Sequence, residues 1–277
     1  MAITSELVKK LRDKTGAGMM DCKKALEATD GEMEAAIDYL RKKGAATAEK
    51  RADRVANQGM IVAKLSGDRT KGAIVEVNCE TDFVARGDDF AGFANTVAEI
   101  VFANAPASLD ALSTLQYAEG KTVGEMLNEL TGRIGEKLQI KQFDVVTAGS
   151  GFIESYIHMG AKIGVLVELN AENTVDNVRL ARDIAMQVAA MSPIVVSRDK
   201  VDKETIDREV AIYREQARLE GKPEQIADKI ATGRLEKFYQ EFVLLEQSYI
   251  KDAGKAIKDL LAPTVTIQQF KRYQLGA

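Results

Sequence analysis

The 277 residues include one histidine, His158, no tryptophan and only four prolines. Histidine is the side chain most often recruited as a general acid or base near neutral pH, so a chain with a single one is poorly equipped for ordinary hydrolytic chemistry. The chain also lacks GxSxG, HExxH, GxxxxGK[ST] and GxGxxG, patterns whose spacing builds a nucleophile, a zinc site or a phosphate cradle. An enzyme working through carboxylates or lysine stays open on these grounds, with Asp82 or Glu80 as the candidate carboxylate base. The two cysteines, Cys22 and Cys79, lie far apart without CxxC spacing. That excludes a disulfide framework, leaves too few soft ligands for structural zinc and suits a reducing compartment. No run approaches the roughly 20 apolar residues of a membrane span. The first eleven residues already hold Glu6, Lys9 and Lys10, so no targeting segment is expected and the chain reads as cytosolic. An excess of basic charge is missing too. With 38 Lys plus Arg against 42 Asp plus Glu the net charge is −4, unlike a protein that gathers nucleic acid by its overall field.

What the chain does have is 45% hydrophobic residues, ample for real cores, and a length suited to two domains or one large one with attachments. Its opening reads as three short helices. Thr4 or Ser5 caps a first helix with Leu7, Val8 and Leu11 on one face, and Thr15-Gly16-Ala17-Gly18 breaks it. A second helix over 20–28 buries Ala25 and Leu26. The third places Met33, Ala36, Ile37 and Leu40 at helical spacing and is expected to stop at Gly44, after Arg41-Lys42-Lys43. So small a bundle is marginal alone, which points to a docking module. The charged stretch 45–55 is its tether.

Beyond the tether the chain repeats itself. Gly59, Ile61, Gly72, Val75, Glu76 and Asn78 match Gly151, Ile153, Gly164, Val167, Glu168 and Asn170 at a constant spacing of 92 residues. Each copy has the pattern of a β-hairpin followed by a helix, over 93–104 and 180–191, ended by Pro106 and Pro193. Between the prolines the spacing is 87, so the first copy carries five extra residues between strand and helix, where it reads Cys79-Glu80-Thr81-Asp82-Phe83-Val84-Ala85-Arg86-Gly87. Phe83 sits there in a polar surface connection. Two readings are open: a ring folded back onto its own helix, as expected of Phe90 and Phe93, or an aromatic anchor for another protein with Asp82 competing for the partner's cations or amides. The rest of the chain is expected to hold helices over 109–136 with turns at Gly120 and Gly132, and a strand over 141–146. A charged helical hairpin follows over 202–219 and 224–245, its narrow stripe made by Ile206, Val210, Tyr213, Ala217 and Leu219. A final helix over 257–261 and a short strand at 265–270 close the chain.

Two stretches carry a resemblance. Leu11-Arg12-Asp13-Lys14-Thr15-Gly16-Ala17-Gly18-Met19-Met20-Asp21-Cys22-Lys23-Lys24-Ala25-Leu26 and Glu76-Val77-Asn78-Cys79-Glu80-Thr81-Asp82-Phe83-Val84-Ala85 resemble the two signatures of the elongation factor Ts family, the guanine-nucleotide exchange factors of bacterial and organellar translation. His158 to Leu169 is similar to the family's matching strand in the second half. The resemblance weakens after Pro263, where the family often continues into a longer C-terminal helix. It implies an α+β protein in three parts: a ubiquitin-associated-like three-helix domain with its tether over 1–54, and a duplicated core with antiparallel strands over 55–146 and 147–277. The second half includes the projecting helical-hairpin arm at about 200–247. The implied partner is elongation factor Tu, and neither catalytic residues nor a cofactor or metal are implied. Thr81, Asp82, Phe83 and Val84 would enter that partner near its Mg²⁺ and phosphate region. Arg12, Met19, Met20 and Lys23 would meet its nucleotide-binding domain, and Ile134, Gly135 and His158 would lie at or near the interface. For His158 a hydrogen-bonded strand-end histidine is an equal reading. The rival class is a non-catalytic adaptor acting through the N-terminal bundle.

Overall fold

The computed structural model describes residues 3–118 and 120–277. Helices α1 (Ser5–Thr15), α2 (Met19–Ala28) and α3 (Met33–Lys50) close around Val8, Leu11, Cys22, Ala25, Leu26 and Ala36. Thr4 caps α1, its hydroxyl accepting the Leu7 N–H at 3.2 Å, and Gly16 ends it in the left-handed region at φ 66°, where a glycine costs nothing sterically. The third helix overrides the expected stop at Gly44 and continues to Lys50. Gly44 is a crossing point instead, for reasons that lie in a helix far along the chain.

The first copy of the repeat follows. Strands β1 (Gln58–Leu65) and β2 (Lys71–Cys79) pair antiparallel, with Gln58 opposite Cys79. The five extra residues wind into a one-turn helix, α4 (Asp82–Ala85), ahead of α5 (Asp88–Asn104). Then come α6 (Leu109–Thr114), a small ribbon of β3 (Gln116–Ala118) and β4 (Lys121–Thr122), α7 (Val123–Ile134) and β5 (Gln139–Thr147), which pairs with β2 to give the order β1-β2-β5. The expected turn at Gly132 is absent, and α7 runs through it to a left-handed cap at Gly135, φ 80°. A Cβ on Gly132 would lie 2.7 Å from the Cα of Gly44, and one on Gly44 would lie 2.9 Å from the Asn128 carbonyl oxygen. Two glycines therefore let α3 and α7 cross backbone to backbone, and the bundle docks on the core through that crossing.

The second copy supplies β6 (Phe152–Ile157), β7 (Ile163–Asn170) and α8 (Val175–Met191). After it stand the antiparallel helices α9 (Lys203–Leu219) and α10 (Glu224–Phe242), a ribbon of β8 (Ser248–Tyr249) and β9 (Asp252–Ala256), and a 3-10 turn over Ile257–Leu260 in place of the expected final helix. The expected short closing strand is the nine-residue β10 (Thr266–Gln274), which completes the second sheet in the order β10-β7-β6. Each sheet buries one face under its own helices, α5 to α7 for the first and α8 for the second.

The repeat is reproduced down to single bonds. The carbonyls of Arg69 (φ 62°) and Ala161 (φ 54°), both left-handed turn residues, accept the N–H groups of Ile153 and Ile61 respectively, each from the other copy, at 2.7 and 2.8 Å. The Gln142 amide donates to buried Glu76 at 2.7 Å, and the Gln269 amide donates to Glu168 at 2.8 Å, each beside a register shift. Helices α5 and α8 both end on a left-handed residue, Ala105 and Ser192. Between the copies the other sheet faces meet through Ile61, Ile74, Val146, Ile153, Leu166 and Tyr273. Gly72 lies against Ile153 and Leu166, and Gly164 against Ile61 and Ile74, so each copy offers the same patch to the other, as in an isologous contact.

Helices α9 and α10 join the body at a cluster of Val201, Phe238, Tyr239 and Val243. There Arg198 bonds Glu236 and Glu246 and lies 4.3 Å from the Tyr239 ring centre. Ala217 of the expected stripe is buried and Leu219 is 81% exposed near the tip, because two residues on is the wrong face of a helix.

Candidate functional site

Strand β2 ends in the buried Cys79, and the chain then turns outward. Thr81 caps α4, its hydroxyl accepting the Val84 N–H at 3.4 Å. The same hydroxyl donates to Glu136 at 2.7 Å, and the Thr81 N–H donates to the other oxygen of that carboxylate at 3.0 Å. Glu80 accepts the Lys137 N–H at 2.6 Å and pairs with Arg51 and Arg54, both at 3.0 Å. Those bonds, the Lys137 N–H first and then the two guanidinium groups, hold its carboxyl below its ordinary range. Both oxygens of the Glu80 carboxylate are engaged by these donors, Oε1 by Lys137 and Arg51 and Oε2 by Arg54. Burial pushes the Cys79 thiol up to about 12. Asp82 pairs with Arg86 one turn on, at 2.8 Å.

Phe83 is 83% exposed, whereas Phe90 and Phe93 are buried. The folded-back reading of Phe83 is therefore wrong. With Asp82 at the first position of a one-turn helix and Val84 turned toward the core, the ring between them has only solvent to face. Beside it runs a shallow depression lined by Val84, Gly87, Asp88, Asp89, Phe90 and Ile134. Gly135, next to Ile134, has open space where a side chain would be.

The N-terminal signature approaches from the other side of α7. Met19 and Met20 begin α2 and are 58% and 63% exposed. Arg12 and Lys23 are exposed as well, Lys23 lying 3.8 Å from Glu27. Gly16 lies against the guanidinium of Arg133, which pairs with Asp89 at 3.0 Å at the start of α5. Arg133 thus ties the bundle's first turn to the start of α5, just after α4, bringing together two signatures whose nearest ends, Leu26 and Glu76, are 50 positions apart in sequence. Beside the crossing of α3 and α7 a cavity of about 250 Å³ lies between bundle and α7, lined by Ile37, Leu40, Gly44, Gly132 and Arg133 among others. His158 stands elsewhere, at the exposed turn between β6 and β7. Its Nδ1 is 2.9 Å from the Tyr156 hydroxyl, and its N–H donates to the Ile163 carbonyl. That is the strand-end hydrogen bonding expected of it, and exposure leaves the ring accessible too. Glu136, Arg133, Arg51 and Arg54 had no signal in the sequence beyond being charged, whereas Glu80 lies inside the second signature.

Among the described residues no group of three or more His, Cys, Asp or Glu side chains could hold a metal ion, and no helix is long and apolar enough to cross a membrane. Residues 80–277 match the family model described as elongation factor TS. The sequence is 51% identical to elongation factor Ts of Prosthecochloris aestuarii, over 99% of both chains. It is 49% identical to that of Chloroherpeton thalassium, over 99% of this chain and 98% of the other. The chain belongs to the elongation factor Ts family. Likeness to the elongation factor Ts of Pelodictyon phaeoclathratiforme, 52% over 94% of this chain and 91% of that one, agrees. Membership makes the chain a translation elongation factor with an α+β fold.

Proposed function

We propose that the chain binds elongation factor Tu in the cytoplasm and promotes release of its GDP, allowing GTP to bind in its place. The observation that carries this is Phe83, an almost fully exposed aromatic ring on a capped turn that only one of two otherwise matching copies possesses. A GTPase holds its nucleotide through backbone amides around the phosphates, a Mg²⁺ ion and base contacts. Disturbing that site requires no covalent step. Phe83 and Asp82, with Thr81 and Val84 shaping the turn, are the wedge; Arg12, Met19, Met20 and Lys23 are the second contact, and Ile134, Gly135 and His158 are further ones. In this reading residues 1–54, 55–146 and 147–277 are the functional units. The chain is then an exchange factor and not an enzyme.

Such a factor must bind the empty partner more tightly than the loaded one, and the coupling is reciprocal. Each thousandfold of weakening takes about 4 kcal/mol of differential binding. The test measures factor affinity with and without saturating GDP and Mg²⁺, and GDP affinity with and without saturating factor. The two ratios are expected to agree, and Phe83→Ala is expected to shrink both together. A chain that binds loaded and empty partner equally well is not an exchange factor.

A further inference from the structure

Helix α4 is four residues long and fully buries none of them, Val84 and Ala85 packing half-buried against the first core. A single turn is unstable by itself, since nucleation costs more than one hydrogen bond returns, so something outside must hold it. Two consecutive residues before the turn and two consecutive residues after α7 grip each other crosswise. The Glu80 carboxylate accepts the Lys137 backbone N–H at 2.6 Å, and the Glu136 carboxylate accepts the Thr81 backbone N–H at 3.0 Å and its hydroxyl at 2.7 Å. Arg51 and Arg54, where the bundle's last helix ends, grip Glu80 from outside. The Lys137 ammonium in turn holds the carbonyls of Ala52 and Arg54 at 2.6 and 2.9 Å. The second copy has no counterpart. There Thr174 caps α8 directly, through the Asn177 N–H at 3.3 Å, with no turn to brace.

We propose that Glu136 and Glu80 form a reciprocal latch that holds α4, and with it Phe83, in its presenting orientation before the partner arrives. Glu136 is a positioning residue: its carboxylate acts through Thr81, and the latch also ties the wedge to the tether of the N-terminal bundle. Ordering the turn in advance removes that cost from the encounter. Three donors converge on Glu136 and Thr81 in a chain: Thr81 receives the Val84 N–H and passes two hydrogen bonds to Glu136. Loss of the acceptor frees the cap and the turn together.

The proposal rests on the exchange reading, and its test separates the two. Amide exchange at Thr81 and Val84 is measured by NMR in the free chain for wild type, Glu136→Gln and Glu136→Ala. Fluorescent GDP release from elongation factor Tu is measured at saturating factor for the same chains, with and without Phe83→Ala. Expected are faster amide exchange at both positions, larger for Ala than for Gln because the Gln oxygen keeps one acceptor, with protection in β2 unchanged. Release is expected to slow by about tenfold, as for loss of a charged hydrogen-bond pair, and Glu136→Ala is expected to add nothing once Phe83 is gone. Unchanged protection at Thr81 and Val84, or an equal slowing with and without Phe83, overturns the latch. Release that is indifferent to Phe83→Ala overturns the wedge reading instead, and the latch is then decided by the amide exchange alone. Loss of protection throughout β2 in both variants would make Glu136 a general stability residue and also overturn it.

Discussion

Cys79 and Phe83 lie four positions apart and have opposite surroundings. Cys79 closes β2 inside the core, its thiol donating to the Thr81 carbonyl at 3.1 Å, and burial raises its pKa to about 12. The folded state thus disfavours the thiolate. Stability from this group is complete below the thiol's ordinary value of 9.0 and falls as pH rises from there toward about 12. Cys22 is also buried, and burial raises its thiol too. Neither thiol is expected to react with a chromogenic disulfide reagent at pH 8 in the native chain, and both are expected to react in denaturant. Rapid native labelling of Cys79 would contradict its burial. Phe83 makes the complementary case. With so little of the ring covered, Phe83→Ala is expected to leave the melting temperature within the scatter of ordinary surface substitutions, about 0.5 kcal/mol, while exchange declines. Equal loss of both would return the ring to a structural role.

At the scale of elements, the crossing of α3 on α7 decides how the bundle sits on the core. Glycine inside a helix costs about 1 kcal/mol relative to alanine, so Gly132→Ala would stabilise an isolated α7. In the folded chain the new methyl would stand 2.7 Å from the Cα of Gly44, and backbone cannot step aside as a flexible side chain can. The expected outcome is a net destabilisation of about 1 to 3 kcal/mol, read by denaturant unfolding, with faster proteolysis at 51–57 as the bundle lifts. A more stable Gly132→Ala chain would mean that the two helices are not in contact. These two glycines also mark where local reading stops. A glycine after Arg41-Lys42-Lys43 has the signature of a helix end, and only the helix packed against it reveals that the chain needed a small residue there. The extent of α5 and α8 was equally hidden: both start five residues before the expected positions, their first turns mixing the polar Asp88, Asp89, Asp176 and Asn177 with apolar residues that are buried in one case, Phe90, and exposed in another, Val175.

Over the whole molecule the duplicated halves meet as two copies of one surface, and the meeting point is intolerant of volume. A Cβ on Gly164 would lie 2.5 Å from the Ile61 Cγ2, a branch fixed to a strand. Gly164→Ala is expected to cost about 1 to 3 kcal/mol, and Ile61→Ala about 2 to 5 kcal/mol. In the double variant the new methyl occupies part of the space the isoleucine leaves, so its cost is expected to fall short of the sum, a coupling measurable by a double-mutant cycle in urea. Strict additivity would separate the two sheets at this point.

The sequence by itself determined the main helices and strands and their order, though not the β3–β4 and β8–β9 ribbons or the 3-10 turn at Ile257–Leu260. It determined the duplication, the extra residues in one copy and the signatures that mark the family. Periodicity, turn chemistry and repetition are properties of neighbours along the chain, and a single sequence displays them. It also located the extra turn that carries Phe83, since an insertion shows against a repeat. The tertiary structure alone decided that β10 closes the second sheet after the whole α9–α10 excursion, and that Gly44 and Gly132 are a crossing. It alone turned Phe83 outward and had Glu136 brace Thr81 from 55 positions away. Contacts between chain-distant residues impose no period, and a charged or small side chain has the same letter whether it faces water or a partner across a fold.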